Sequence, residues 1–279
     1  MKKIVLFIAV LFSALSVKAY DWENVSLSAG TEIVTDYNWR GKHLGGLSVQ
    51  PYVDFEFYGL NIGAWFNVGT GPHYGPYDDF IQFKPEIDLH LSYTSPDDHF
   101  TLGLTHYYYF DGPFYGGSYE NIEDITYNER EYSQSEISVT IFGQEEYPLE
   151  FGFAMMFGAG DYWSANDSII VENETKAKKL FSTYIYLKYT FELDNVEIIP
   201  EIGLSPAPSM YTYYDKSTGK HVGFAMNNIS CTCNCTFLET DYVTMYTTAN
   251  IFFNLYDVGY EKFEYGKNCG ISVGFGIEL

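Results

Sequence analysis

The amino-acid sequence predicts an all-β protein: a single transmembrane antiparallel up-and-down β-barrel of about twelve strands. Three observations predict it. Apolar and polar residues alternate along segments of about ten residues, the connections alternate between long and short, and the last segment is amphipathic. Alternating lipid-facing and lumen-facing residues, with short turns at one rim and long loops at the other, are typical of barrels in the bacterial outer membrane.

The N-terminus predicts a cleaved signal peptide over residues 1–19. A pair of lysines follows the first methionine, residues 4–15 are apolar, and a small-residue cleavage motif ends at Ala19. The apolar run is too short for a membrane-spanning helix. We therefore expect export of the chain and assign residues 20–279 to the barrel.

The acidic composition limits the classes of partner. The 279 residues contain 15 Lys and Arg against 37 Asp and Glu, a formal net charge of −22. Nucleic-acid binding requires basic side chains that neutralise phosphates, so we exclude it. Acidity instead suits cations or solubility. Four cysteines, three of them within five residues, are too few and too localised for a disulfide-stabilised secreted mini-domain.

Strict alternation is clearest over residues 47–58 and 80–93, where the odd positions are apolar and most even positions are polar or charged. A period of two over this length predicts strands with one apolar and one polar face. Alternation weakens around the cysteine cluster. The predicted strands are 25–37, 47–58, 60–69, 80–93, 100–110, 133–142, 149–158, 180–191, 196–205, 222–230, 237–253 and 270–279.

The connections between these strands differ in length in a regular way. Short turns and both termini of the chain are predicted at the periplasmic rim, and long loops at the extracellular rim. The long loops are 38–46, 69–79, 111–132, 159–179, 206–221 and 254–269, and the short turns include 58–60, 94–99, 143–148 and 192–195.

Two features depart from the expected pattern. The closing strand ends in Leu279, where outer-membrane proteins usually end in Phe. Pro51, Pro85 and Pro200 fall in the middle of predicted strands, where each removes a ladder hydrogen bond, so we expect local bulges or bends there.

The first predicted hairpin resembles a known family. Asp36, Tyr37, Trp39, Arg40 and Gly41 match the opening motif of the Gcw-chp family, a group of uncharacterised bacterial outer-membrane proteins. The match covers this hairpin, while the rest of the chain agrees in style. The resemblance implies a barrel in the outer membrane and implies no particular activity.

The phase of the first strand predicts where these residues point. Arg40 shares the polar phase of Glu32 and Asp36 and should enter the lumen near the extracellular rim. There it would act either as a clamp on neighbouring carboxylates or as a selectivity element. Trp39 has the opposite phase and is expected in the outer aromatic girdle, and Gly41 allows the chain to turn.

The polar phases together predict an acidic lumen. Such a lumen favours a porin-like channel for passive, cation-preferring diffusion of small solutes. The alternative is a side-chain-filled, non-conducting barrel with a structural, adhesion or surface-recognition role through its loops. An inward-folded third long loop would favour the channel, and a plugged lumen the alternative. The predicted lumen-lining residues are Glu32, Asp36, Arg40, Asp54, Glu56, Lys84, Glu86, Asp88, His90, Glu136, Glu150, Lys188, Glu197 and Glu201.

No enzymatic motif is present, and we predict that the protein is not an enzyme. There is no G-x-S-x-G and no H-E-x-x-H. His90 and Ser92 share a lumenal face but lie about 6 to 7 Å apart along one strand, and His106 has the apolar phase of a girdle or surface residue.

The cysteines suggest no cofactor. Cys231, Cys233 and Cys235 share one strand face, so they could present three thiols to a soft metal. We predict instead a turn with an internal disulfide or free thiols, with Cys269 too far away to bridge. The expected partners are outer-membrane lipids and lipopolysaccharide, the barrel assembly machinery, and small solutes or cations.

Overall fold

A computed structural model of the chain describes residues 25–69, 85–109, 133–143, 148–158, 181–207, 209, 214–215, 220–221, 223–254 and 269–279. The predicted signal peptide, the predicted lumen residue Lys84 and most of the predicted long loops lie outside the described residues. In the described part of the chain, no helix is long and apolar enough to cross a membrane.

The described residues form strands of mostly ten residues and three small hairpin or extension pieces. The strands are β1 (Val25–Val34), β2 (Tyr37–Trp39), β3 (Lys42–Gly45), β4 (Ser48–Phe57), β5 (Leu60–Gly69), β6 (Glu86–Thr94), β7 (Phe100–Tyr109), β8 (Ser133–Phe142), β9 (Leu149–Gly158), β10 (Thr183–Tyr189), β11 (Phe191–Leu193), β12 (Val196–Ser205), β13 (Tyr214–Asp215), β14 (Lys220–His221), β15 (Ala225–Glu239), β16 (Thr244–Phe253) and β17 (Cys269–Glu278).

The large sheet closes on itself as an antiparallel barrel. Neighbours in the sheet follow the order of the chain, and β1 pairs with β17 to join the two ends. The circle is completed by β10, which pairs with β9 and β12, and by β11, which continues β10 against β12. Since β10 and β11 form one interrupted strand, the barrel has twelve strands, and the predicted fold class is confirmed.

Proline explains the interruption between β10 and β11. Both pieces keep one register against β12, with Lys188 opposite Glu201 and Phe191 opposite Ile198. Pro200 lies between these pairs and has no N–H to donate to β10, although its pairing with Cys231 of β15 is intact. The proline therefore costs a ladder bond on one side and leaves the register unchanged.

Pro51 behaves in the same way, with an unchanged register between β4 and β5 on either side of it. The expected bulges at Pro51 and Pro200 are therefore wrong, because losing one N–H requires no extra residue in the strand. Pro85 directly precedes β6, where a missing donor interrupts no described ladder. The irregularities of register in the barrel ladders lie elsewhere, at residues 203–205 and 236–238.

The boundary predicted at the cysteine cluster is also wrong. The β15 strand continues through Cys231, Cys233 and Cys235, and the chain turns at residues 240–243. Ser230, Thr232 and Asn234 supply the polar alternates of this strand, so the small thiols occupy outward positions and alternation persists. The Thr240 hydroxyl accepts hydrogen bonds from the backbone N–H groups of residues 242 and 243, which stabilises the turn.

The barrel is apolar outside and polar inside. On β4, the outward side chains of Val49, Phe55 and Phe57 are 42%, 43% and 44% exposed, whereas inward Gln50 is 8% exposed. Many other large apolar side chains are exposed on the outer face, and polar residues such as Glu136 are buried inside. This distribution is the reverse of a water-soluble protein and is expected of a barrel surrounded by lipid.

Candidate functional site in the barrel lumen

The first long loop contains a tight hairpin formed by β2 and β3. Arg40 and Gly41 are its two turn residues, and both have positive φ angles, 49° and 76°, as in a type I′ turn. A side chain at Gly41 would collide with the carbonyl oxygen of Asn227, so glycine is required by space as well as by conformation. Arginine in this conformation costs about 1 to 2 kcal/mol, which its contacts must offset.

The hairpin folds into the barrel and reaches the wall on several sides. The Tyr37 ring lies 5.6 Å from the ring of Trp65 on β5, and the Trp39 ring lies 5.7 Å from that of Tyr107 on β7. On the far side, the Gly41 carbonyl accepts a hydrogen bond of 3.1 Å from Asn254, which follows β16. The hairpin therefore crosses the lumen.

The base of the hairpin is also attached to the wall. The hydroxyl of Ser272 on β17 donates to the carbonyl of Asp36 at 2.7 Å. The Tyr37 hydroxyl donates to Glu86. Burial, together with the negative charges of Glu86 and Asp88, raises the pKa of Tyr37, so this hydroxyl remains protonated.

The expected position of Trp39 in the outer girdle is wrong. Trp39 packs inside the barrel against Tyr107 and the buried residues around it. The phase of β1 does not extend past residue 35, because the chain leaves the barrel wall there and both faces of the hairpin lie in the interior.

Arg40 joins the hairpin to the barrel wall. Its guanidinium makes a bidentate ion pair with Glu136 of β8, with nitrogen–oxygen distances of 2.5 and 2.9 Å. The side chains of Arg40 and Glu136 are 14% and 4% exposed. The guanidinium also lies 4.6 Å from the ring centre of Trp39 and 4.7 Å from that of Tyr184, and Tyr107 donates to Glu136 at 3.2 Å. This arrangement is a clamp across the lumen.

Tyrosine side chains fill much of the remaining interior. Each lies across a glycine of the adjoining strand, where the missing side chain leaves room for the ring. The pairs are Tyr52 with Gly30, Tyr184 with Gly203, Tyr186 with Gly152, and Tyr246 with Gly276. The lumen is therefore occupied by wall side chains as well as by the hairpin.

Three predicted lumen carboxylates have basic partners. Besides the Arg40–Glu136 pair, His90 lies 2.5 Å from Asp54 and Lys188 lies 3.3 Å from Glu150. The His90 partner is thus Asp54 and not the neighbouring Ser92. The last two pairs join neighbouring wall strands, and the Arg40 pair joins the hairpin to the wall. Arg40, His90 and Lys188 are thus each paired with a carboxylate.

The other predicted carboxylates differ in their surroundings. Glu201 accepts hydrogen bonds from Tyr184 at 2.6 Å and Asn228 at 2.8 Å. One oxygen of Glu32 and one of Asp88 are buried without a hydrogen-bond partner among the described residues. Of the remaining four, Asp36 and Glu86 lie at the base of the hairpin, as described above. Glu56 and Glu197 are exposed, and Glu197 accepts a hydrogen bond from Asn234.

A cavity of about 350 Å³ lies between the hairpin and the wall formed by β10, β12, β15 and β16. Its lining is aromatic, amide, hydroxyl and charged in nearly equal parts. Sequence reasoning found Arg40, Lys188 and Glu201 and missed most of the rest, although these wall residues share the inward phase of the charged ones. The lining residues are Asn38, Trp39, Arg40, Gly41, Tyr184, Tyr186, Lys188, Glu201, Asn228, Ser230, Thr232, Asn250 and Phe252.

The outer face carries a serine–histidine contact that sequence reasoning also missed. His106 Nδ1 lies 2.9 Å from the hydroxyl of Ser135, its cross-strand neighbour on β8. Nucleophilic catalysis requires a base that is itself oriented by a third group. In the described part of the chain the other ring nitrogen of His106 has no hydrogen-bond partner, so the contact lacks that third group.

The cysteines are free thiols in the described structure. Cys231, Cys233 and Cys235 face outward from β15, and Cys269 is exposed at the start of β17. Within the described ranges, no group of three His, Cys, Asp or Glu side chains is placed to hold a metal ion.

No protein-family model matches the chain, and no curated protein matches it in sequence. Among solved structures it is similar to a Pseudomonas aeruginosa homologue of FadL, with 8% identity, 92% of this chain and 90% of that chain covered, and a TM-score of 0.37. It is also similar to the Salmonella typhi outer membrane phospholipase OMPLA, a dimer with bound calcium (13% identity, 97% and 96% covered, TM-score 0.36), and to Salmonella typhi OmpF in complex with daunomycin (8%, 91% and 97%, 0.33). These similarities carry no argument about function.

The closed twelve-stranded sheet, its apolar outer face and its polar interior define a β-barrel of the outer-membrane type. Within that class, the protein is distinguished by a lumen that its own first long loop crosses and clamps through Arg40.

Proposed function

We propose that the protein is an outer-membrane barrel that its first long loop holds closed, so that it does not conduct ions in its resting state. The observation that carries this proposal is the hairpin of β2 and β3, which contacts β5, β7 and β8 on one side and Asn227 and Asn254 on the other. The third long loop, a possible constriction, lies outside the described residues.

The same proposal includes the location and the general partners of the barrel. The exposed apolar belt supports insertion in a lipid bilayer, and the signal peptide predicted from the sequence would direct export. Outer-membrane lipids, lipopolysaccharide and the barrel assembly machinery are the partners that such a location requires. A closed lumen favours a structural, adhesion or surface-recognition role through the loops.

Planar-bilayer recording of the refolded mature protein tests closure. We expect no discrete current steps from the wild-type protein, and steps from a variant in which a short Gly-Ser linker replaces residues 37–45. The matched control carries the same linker in place of residues 240–243 at the opposite rim and should remain silent. A heat-dependent gel shift confirms that each variant is folded. Frequent steps from the wild-type protein would overturn the proposal.

A second candidate function is a cation-preferring channel that opens when the hairpin moves. It is favoured by the surplus of inward carboxylates, because Glu32 and Asp88 have no basic partner among the described residues. In the linker variant, we expect a cation-selective reversal potential under a salt gradient. Glu86→Gln and Asp88→Asn should reduce that selectivity, and anion selectivity would exclude this candidate.

A further inference from the structure

The cavity beside the hairpin has the size and lining of a small-molecule site. Its volume of about 350 Å³ lies at the lower end of the range for ligand pockets, about 300 to 1,000 Å³. It follows the inward residues of β15 from Asn228 to Thr232 and those of β10 from Tyr184 to Lys188. It therefore extends from the hairpin toward the short-turn half of the barrel.

The charges around the cavity disfavour a ligand that carries a charge, whether negative or positive. Lys188 and Arg40 are both cationic, and each is already paired with a carboxylate, Glu150 and Glu136. Glu201 supplies a negative charge that only neutral donors contact, from Tyr184 and Asn228. An anion would therefore face Glu201, and a cation would face Arg40 and Lys188, whereas a neutral ligand meets neither repulsion.

The hydrogen-bonding groups of the cavity favour a ligand with many hydroxyls. Neither amide atom of Asn38 has a hydrogen-bond partner in the described structure, nor has the side-chain oxygen of Asn228, which is a buried residue. Ser230 and Thr232 each accept a hydrogen bond from an asparagine and retain a hydroxyl proton to donate. Donors and acceptors thus alternate along the wall, and a hydroxyl can satisfy either.

Aromatic side chains complete the cavity without offering an open stacking platform. Arg40 covers the rings of Trp39 and Tyr184, and Lys188 lies 4.6 Å from the ring centre of Tyr186. The faces of these rings are therefore only partly open, which leaves too little area to stack a planar aromatic ligand but allows contact with single C–H groups of a saturated ring.

We propose that this cavity binds a neutral, polyhydroxylated solute of about monosaccharide size. The binding site requires only the folded barrel and its hairpin, so the proposal holds whether or not the protein conducts. D-glucose is the probe. The comparators are glucuronate, which carries a negative charge, glucosamine, which carries a positive charge, and serine, which carries one of each.

Saturation-transfer NMR titration of the refolded full-length mature barrel tests the proposal. We expect glucose to bind with a dissociation constant of about 1 mM and each charged comparator to bind at least about tenfold more weakly. Thr232→Leu extends a larger side chain into the cavity and should weaken glucose binding at least about tenfold. Cys233→Leu is the matched control, because it adds the same side chain on the outer face of the same strand, and it should leave binding unchanged.

A second variant keeps the test decisive if Thr232→Leu does not fold. Asn38→Asp retains the size of the side chain and adds a negative charge, so glucose should bind more weakly and glucosamine more tightly. A general folding defect cannot produce opposite changes for two ligands. Undetectable glucose binding, a preference for any charged comparator, or unchanged binding in the folded Thr232→Leu protein would each overturn the proposal.

Discussion

The clamp between Arg40 and Glu136 allows a quantitative test of how the hairpin is held. The perturbations are Glu136→Gln, Arg40→Met and the double variant, which together form a double-mutant cycle. Both side chains are largely buried, 14% and 4% exposed, and two short hydrogen bonds join them. Removing one partner leaves the other as an unpaired charge inside the barrel.

The expected magnitude follows from this burial. Breaking a buried pair by removing one partner costs about 3 to 5 kcal/mol. Arg40 keeps its contacts with the rings of Trp39 and Tyr184, and Glu136 keeps the hydroxyl of Tyr107. We therefore expect each single variant to lose about 3 kcal/mol, at the lower end of that range, and the cycle to give a coupling of about 2 kcal/mol.

Equilibrium unfolding in urea, in detergent micelles, supplies the free energies. Tryptophan fluorescence, to which Trp39 of the hairpin and Trp65 of the wall both contribute, reports tertiary packing, and far-ultraviolet circular dichroism reports the strands of the barrel. Glu56→Gln is the control, because Glu56 is exposed near a short turn and should change stability by less than about 0.5 kcal/mol. Strictly additive effects of Arg40→Met and Glu136→Gln, or midpoints equal to that of the control, would refute the reasoning.

Three further predictions concern the wall of the barrel. Gly152→Ala should lower the free energy of unfolding in urea by about 1 to 3 kcal/mol, because its methyl group meets a tyrosine ring. Gly223→Ala meets no atom of the described residues and should change stability little, and equal effects would contradict this account. In lipid vesicles, a water-soluble maleimide should label Cys269, which is exposed at the long-loop end of β17, and should not label Cys233, which faces outward within β15, until the protein is denatured. Mass spectrometry measures the labelling, and equal labelling would argue against a lipid-covered face. Hydrolysis of a labelled phospholipid should stay at background, and activity that Ser135→Ala abolishes would contradict a non-enzymatic barrel.

The barrel could be predicted from sequence because its rule is local and repeated. Each strand places apolar residues outward and polar residues inward, so a strand of ten residues is enough to show the alternation. The same rule placed Lys188 and Glu201 on the inward face that they occupy. Tyr184 and Asn228 share that inward phase, but charge alone does not distinguish them from other uncharged residues of the wall.

The hairpin could not be located from sequence because alternation has no meaning once the chain leaves the wall. Trp39 and Arg40 have opposite phases, yet both side chains contact interior groups. Their positions depend on partners far away in the chain, such as Glu136 and Asn254, and a local pattern contains no information about these. The positive φ of Arg40 could not be predicted either, because positive φ is expected at glycine and not at arginine.

The cysteine segment shows a related limit. A turn was expected where alternation weakens, but Cys231, Cys233 and Cys235 are small and weakly polar, so they occupy outward strand positions without a strong hydrophobic signal. The turn that the chain makes instead contains neither glycine nor proline and is stabilised by the hydroxyl of Thr240.

The acidity of the lumen and its openness are separate properties. The count of carboxylates made a cation channel the first hypothesis, because a row of like charges in a wall of low dielectric constant attracts counter-ions. In the folded chain, however, Arg40 and Lys188 are paired with interior carboxylates, and the Arg40 pair with Glu136 holds the hairpin across the lumen. The charge pairing that holds the hairpin is thus compatible with a closed barrel and with a gated cation channel, and the variant in which a linker replaces the hairpin distinguishes the two.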